Sequence, residues 1–320
     1  MKTSYETESQ PFPNQVAQLK GVITAMESSK FWQIRNAWFR LKQNLGLGKD
    51  NFHQIRSIVT PSSDALIADL APTSPPPEPI KAPIAKAAKS IPRSLNSLTR
   101  ENIADLYLQG QGIEIGALHH PLVVPKDAKV LYVDRMSVAD LRKQYPELND
   151  IPLIEADILA NGEDLETIAD STQDFVIANH FIEHCQDTIG TIQNMFRVLK
   201  PGGILYSAIP DKRATFDIDR DVTSIEHMWR DHIESPAGSK REHFESWVRH
   251  VGHYQDDVEV VNQIDLLIDL DYSIHYHVFT QESWLELFVS LQQKLTIKFE
   301  IELIFNNGSH EVILIARKLS

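Results

Sequence analysis

Five short apolar runs, each followed by a helix-like or turn-like stretch, constrain this chain more than any other feature. They are Gly112 to Leu118, Val130 to Val133, Leu153 to Ala156, Asp174 to His180 and Ile204 to Ile209. Strands that are apolar throughout are buried on both faces, and strands alternating with helices give a parallel sheet covered on both sides. Ligands in such sheets bind at the carboxyl ends of the strands. Here those ends carry Gly116, Asp134, Asp157 and His180. A glycine lets backbone approach a ligand closely, and an aspartate can accept hydrogen bonds from ribose hydroxyls, so the stretch from Gln111 to Asp134 reads as half of a nucleotide-like site.

The intervening segments predict helices. Leu98 to Leu108 points Ile103, Leu106 and Tyr107 inward, Val138, Leu141 and Tyr145 mark a second helix, and Glu163 to Ala169 suggests a short third. A stripe of Ile189, Ile192, Phe196 and Leu199 follows, stopped by Pro201-Gly-Gly. Near the end, Thr280 caps a helix with Trp284, Leu287, Phe288 and Leu291 inward. Two alternating runs, Ile297 to Phe305 and Val312 to Ala316, are joined by Asn306-Asn-Gly-Ser309. So short a Gly-containing link predicts a hairpin, which makes the last strand antiparallel to its neighbour.

Upstream the composition changes. Residues 59–95 hold Pro61, Pro72, Pro75, Pro76, Pro77, Pro79, Pro83 and Pro92 among Ala, Ser and Lys, and read as an extended linker. Residues 1–58 include an amphipathic basic helix with Leu19, Val22, Ile23 and Met26 on one face and Phe31, Ile34, Trp38, Leu41 and Leu45 on another. Such a helix suits a protein partner, an anionic membrane surface or its own domain. The expected body is 96–320, interrupted by an insertion at 211–277.

A net charge of −13 argues against non-specific nucleic-acid binding. The single cysteine, Cys185, permits no intrachain disulfide, no apolar run reaches the ~20 residues of a membrane span, and the acidic start is unlike a signal peptide. The expectation is a cytoplasmic protein, peripheral to a membrane if the first helix lies on lipid.

His180-Phe-Ile-Glu-His184 after the fourth run and Arg197-Val-Leu-Lys-Pro-Gly-Gly203 before the fifth, with the Glu114-Ile-Gly116 loop and the terminal hairpin, resemble a class I S-adenosylmethionine-dependent methyltransferase of the type 11 group. The likeness spans roughly residues 95 to 318. It implies a Rossmann-like, doubly wound, mostly parallel seven-stranded sheet with S-adenosylmethionine as cofactor. By the same resemblance Gly116 and Ala117 lie against the cofactor, Asp134 binds its ribose, Asp157 faces the adenine amino group, Asn179 lies beside it, and Glu114 braces the loop. Leu118 and His120 stand where the family has its second and third glycine. The GxGxxG fingerprint of nicotinamide enzymes is absent. The Glu-Ile-Gly-Ala-Leu-His form also resembles methyltransferases encoded with glycan-assembly enzymes, which implies a role in polysaccharide biosynthesis.

The insertion holds seven of the thirteen histidines, with Trp229, Phe244, Trp247, Tyr254, Tyr272 and Tyr276. Imidazoles can accept a hydroxyl proton and aromatic faces can stack on sugar rings. His180 is expected beside the transferred methyl, with His232 or His243 closing from the insertion and Asp211 touching the acceptor. The spacing of His227, Asp231 and His232, and of His275 and His277, would suit a divalent metal, but such spacing is common by chance in a His-rich segment and no residue is assigned to a metal. The activity expected is O-methylation of a sugar or glycan precursor. The alternatives are methylation of nitrogen or of a small metabolite, and a cofactor-less domain acting as a scaffold.

Overall fold

The computed structural model describes residues 98–145, 148–306 and 310–320. The expected N-terminal helix and the proline-rich linker lie outside the described residues.

Seven strands form one sheet in the order β3-β2-β1-β4-β5-β7-β6. They are β1 (Gln111–Ile115), β2 (Lys129–Asp134), β3 (Ile158–Leu159), β4 (Gln173–Asn179), β5 (Leu199–Pro210), β6 (Phe299–Asn306) and β7 (Glu311–Lys318). The first five are parallel, while β7 runs antiparallel to both β5 and β6. This is the expected doubly wound Rossmann-like sheet with its terminal hairpin.

Period-two alternation divides the core between the two faces. Along β4, Val176 and Ala178 face a cluster built from α3 (Thr188–Val198) and α7 (Gln281–Lys294), including Ile192, Phe196, Trp284 and Phe288. Phe175 and Ile177 face the other way, onto Ile103, Ala104 and Leu108 at α1 (Arg100–Tyr107). Leu106 and Tyr107 are half-buried, and Ala104 takes the inward place instead. Thr280 caps α7 in a reciprocal capping box with Ser283. The insertion folds as α4 (Ile225–Glu234), α5 (Lys240–His250) and α6 (Asp257–Asp269) around Phe244, Trp247, Ile264 and Tyr276, then returns along an extended segment into α7.

Three expectations need correction. The apolar run Leu153 to Ala156 is not a strand: the Ile154 N–H donates to Leu118 O at 2.7 Å, so the run serves the β1 loop, and β3 begins only after Asp157. Glu163 to Ala169 forms turns rather than a helix. There Asn161 and Asp164 side chains capture the Glu163 and Glu166 N–H groups, Leu165 has φ +50°, and Arg197 binds the carbonyls of Asp164, Leu165 and Ile168. Side chains that hydrogen-bond nearby backbone compete with the helix in this way. Finally, α3 ends at Val198, and Pro201-Gly-Gly lies inside β5 at a register shift against β4, with Gly202 at φ +83°. It acts as a bulge, not as the helix stop.

Candidate functional site

A cavity of about 390 Å³ opens at the carboxyl ends of β1, β2 and β4. One half is backbone and apolar surface. Gly116 follows β1 with φ +62°, and a Cβ there would meet only Phe181, at 3.7 Å, so the main chain faces open space. Glu114, buried below, accepts the Leu122 N–H through both oxygens at 3.0 and 3.1 Å and so closes the loop that leaves β1. Leu118 takes the left-handed conformation, φ +49°, that glycine adopts at less cost. Its side chain packs against the cluster of Leu141, Tyr145 and Leu148, which also lines the cavity. Asp134, at the end of β2, accepts the Met136 N–H at 3.1 Å and lines the same half. Gly162, at the exit from β3, is packed so closely that a Cβ would lie 2.5 Å from the Ile115 side chain and 2.6 Å from that of Phe181. The insertion completes the wall. Arg135 bonds Asp271 at 2.8 Å and Tyr145 at 3.1 Å, tying α2 (Val138–Gln144) to the segment that carries Tyr272.

The other half is dense with imidazole and carboxylate. His180 leaves β4 in the left-handed region, φ +50°, with Nε2 3.0 Å from Glu311 and Nδ1 3.5 Å from Glu183. Glu311 sits at the start of β7, where Arg100 of α1 grips both its oxygens. Burial alone would lower the His180 pKa, but the carboxylates of Glu183 and Glu311 beside it outweigh this and the pKa is raised. The Glu311 carboxyl is held far below the ordinary range, because His180 and Arg100 overcome the opposing effect of burial. His184 is lowered to about 4 by burial and then by the neighbouring His275. Glu183 is fully buried, and neither oxygen makes a hydrogen bond of good geometry. Thr215, His275 and Tyr276 close this side.

Of the residues singled out from sequence, Gly116, Asp134 and His180 are brought together on this cavity, while Glu114 acts from beneath it. The others fall outside its lining. Ala117 is buried behind the loop, and Asn179 is a buried amide at the end of β4 with no hydrogen-bond partner on its side chain. Asp157 precedes β3 instead of ending it and accepts the Tyr132 N–H at 2.8 Å, leaving the β3 exit to Asn161 and Gly162. Asp211 caps the turn after β5 and holds Arg213 at 2.6 Å. His232 bonds Asp187, the cap of α3, at 2.9 Å. His243 joins His227 and Asp231 within the insertion, where His227 Nε2 lies 3.1 Å from both Asp231 Oδ2 and His243 Nε2. His275 and His277 make separate contacts: His275 turns to Asp217 at 2.6 Å, and His277 approaches Gln186 O at 3.2 Å.

Glu183 and His184, given no role of their own from the sequence, form a single 3-10 turn with Ile182 before α3. The signal was present in a carboxylate and an imidazole embedded in Phe-Ile-Glu-His-Cys, next to a strand end. Nothing local could have paired them with His275, which lies 91 positions after His184.

Residues 110–207 match a family model described as a methyltransferase domain. No match is found among curated proteins. Similar solved structures include a SAM-dependent methyltransferase from Aquifex aeolicus, with 11% identity, 68% of this chain and 86% of that chain covered and a TM-score of 0.35. Another is from Methanosarcina mazei, with 18% identity, 70% and 95% covered and a TM-score of 0.34. A third is the YcgJ protein of Bacillus subtilis, with 12% identity, 68% and 95% covered and a TM-score of 0.35. At such identities and scores no residue's role is carried over from them.

Proposed function

We propose that this protein is an S-adenosylmethionine-dependent methyltransferase acting on a hydroxyl of a sugar or glycan precursor. The reading rests on one observation above all: Gly116 and Asp134 share a cavity with the His180 dyad, within the segment matched by the methyltransferase family model. Their residue types fit the cofactor. Open backbone at Gly116 admits a close approach, Asp134 accepts ribose hydroxyls, and Leu141, Tyr145 and Leu148 give an apolar wall for a planar base. S-adenosylmethionine supplies, when bound, a methyl group made electrophilic by its sulfonium.

The chain's own residues then position an acceptor oxygen and take its proton. His180 Nε2 donates to the Glu311 carboxylate, and this bond fixes the ring and leaves Nδ1 as the nitrogen that accepts a proton. Glu183, 3.5 Å from Nδ1, favours the imidazolium that results. Arg100 holds Glu311 in place, in the manner of an orienting group behind a base. Tyr276 and Thr215 offer hydroxyls, and Phe216 and Tyr272 offer faces, on the side where the insertion covers the cavity. Ring stacking with such faces suits a sugar better than a long apolar acceptor.

Leu118 supports a second reading, a domain without cofactor that serves as a scaffold, since it fills a place where glycine would leave room. Incubation of the full chain with methyl-labelled cofactor and a panel of sugars, amino sugars and small metabolites tests the acceptor. Label on a sugar oxygen is expected. Label confined to nitrogen acceptors would remove the sugar-hydroxyl assignment while keeping the enzyme.

A further inference from the structure

The imidazole and carboxylate groups of the cavity's polar half have a second property that proton transfer does not use. Glu183, His184 and His275 each present one donor atom, and the three atoms lie within 4.8 Å of one another. Glu183 reaches them from the 3-10 turn after β4, His184 from the next position, and His275 from the extended return of the insertion. Both rings have their tautomer set by an outer partner. His184 Nδ1 donates to the Ile274 carbonyl at 2.9 Å, and His275 Nδ1 donates to Asp217 at 2.6 Å, an aspartate itself held by Arg220 at 2.8 Å. A proton on Nδ1 of each ring, for His184 with Ser273 Oγ also 3.0 Å from that nitrogen, would leave the lone pair on Nε2. A ring nitrogen anchored on a carboxylate or carbonyl is the outer-shell contact that orients metal-binding histidines. The third donor is a carboxylate buried completely, whose contact with His180 Nδ1 at 3.5 Å falls short of good hydrogen-bond geometry, so its oxygens can still turn to a cation.

The histidine cluster inside the insertion lacks this property. Arg230 donates to His227 Nδ1 at 2.9 Å, which puts the His227 proton on Nε2, directed at Asp231 and His243. That triad is satisfied by its own hydrogen bonds.

We propose that Glu183, His184 and His275 ligate one divalent first-row metal ion in the cavity wall, leaving a coordination position open to the acceptor oxygen. Two imidazoles and a carboxylate suit zinc, cobalt or manganese, whereas magnesium and calcium prefer oxygen donors alone. Donor atoms of a tetrahedral site with bonds of ~2.0–2.1 Å stand ~3.3–3.4 Å apart. The His275 Nε2 to Glu183 Oε1 separation is 3.9 Å, so ring and carboxylate rotations of about 1 Å or less complete that edge. The role assigned to the ion rests on the methyltransferase reading. Its positive charge weakens the O–H bond of a coordinated hydroxyl, the proton passes to His180 Nδ1, the oxygen forms its bond to the methyl carbon, and the carbon–sulfur bond breaks with its electron pair going to sulfur.

Binding of the ion is tested without turnover. The full chain, stripped with chelator, is titrated with Co2+ alone and followed by calorimetry and visible absorption, in a His227→Ala, His243→Ala, His310→Ala background that breaks the two other groups of close donors, His227-Asp231-His243 and His180-His310-Glu311. One ion per chain is expected, with ligand-field bands more intense than those of the hexaaquo ion. Glu183→Gln and His184→Ala should each weaken it roughly tenfold or more, and Asp217→Asn should weaken it by ~10-fold while sparing the stoichiometry. Folding of each variant is checked by its melting curve. An aquo-like spectrum, no heat up to millimolar Co2+, or one-equivalent binding unchanged by Glu183→Gln and His184→Ala would overturn the proposal. If Glu183→Gln and His184→Ala do not fold, the spectrum and stoichiometry in the His227→Ala, His243→Ala, His310→Ala chain decide. Parallel titration with S-adenosylhomocysteine separates the two readings: metal binding without cofactor binding removes the methyltransferase role but not the site, and the converse removes the site alone.

Discussion

Asp134 contributes to the proposed site through its carboxylate, and its loss has a direction that can be stated. Hydrogen bonds involving a charged group contribute ~1.5–3 kcal/mol, so Asp134→Ala should weaken S-adenosylhomocysteine binding by roughly 10- to 100-fold in calorimetry, with the fold retained. His180→Gln should behave differently. It removes the proton acceptor but not a cofactor contact, so kcat should fall by ~10²–10⁴ while cofactor affinity stays within about threefold. Equal losses in both quantities would instead make His180 a structural residue. The positions of Gly116, Asp134 and His180 were legible because each ends an apolar run, and strand ends are where such sheets bind ligands. Asp157 was misplaced by two residues: the apolar run before it looked like the strand, yet its backbone bonds serve the Leu118 loop. Glu183, His184 and His275 were hidden because their meaning depends on a turn and a returning segment that meet only in three dimensions.

At the scale of elements, β1 and β4 approach so closely at Gly112 that a Cβ there would overlap the Phe175 carbonyl oxygen. The obstacle is backbone, which cannot rotate away as a side chain tip can. Gly112→Ala should therefore destabilise the protein by ~2 kcal/mol or more, read as a lower urea midpoint. The Thr280 cap is a milder case. Thr280→Ala removes the acceptor for the Ser283 N–H at 3.2 Å and should cost ~0.5–2 kcal/mol. Elements such as α7 and β4 were readable since periodicity, cap and burial agree within one segment. The turns at 163–169 were not, because local side-chain bonds and a distant arginine, Arg197, override a helical composition.

Over the whole molecule, Glu311 joins parts of the chain far apart in sequence, with Arg100 from the first described helix and His180 from the end of β4 on one carboxylate. Its folded pKa lies below its unfolded value of ~4.3. The stability it contributes is therefore complete above that pH and is lost as pH falls towards the folded value. Thermal melts should show a steep loss of stability below about pH 4, and Glu311→Gln should start less stable at neutral pH and lose less on acidification. An acid limb identical in both proteins would place the titration elsewhere. The terminal hairpin that carries Glu311 was predicted from alternation and a Gly-containing link, but its tie to Arg100 spans 211 positions and has no local trace in the sequence. Among the described residues no helix is long and apolar enough to cross a membrane.

The central claim, that this cavity holds S-adenosylmethionine for methyl transfer, is tested most directly by calorimetric titration of the full chain with S-adenosylhomocysteine. One site per chain with micromolar or tighter affinity, weakened in Asp134→Ala, is the predicted result. Absence of heat at millimolar ligand, with protein shown to be folded by its melting transition, would contradict it.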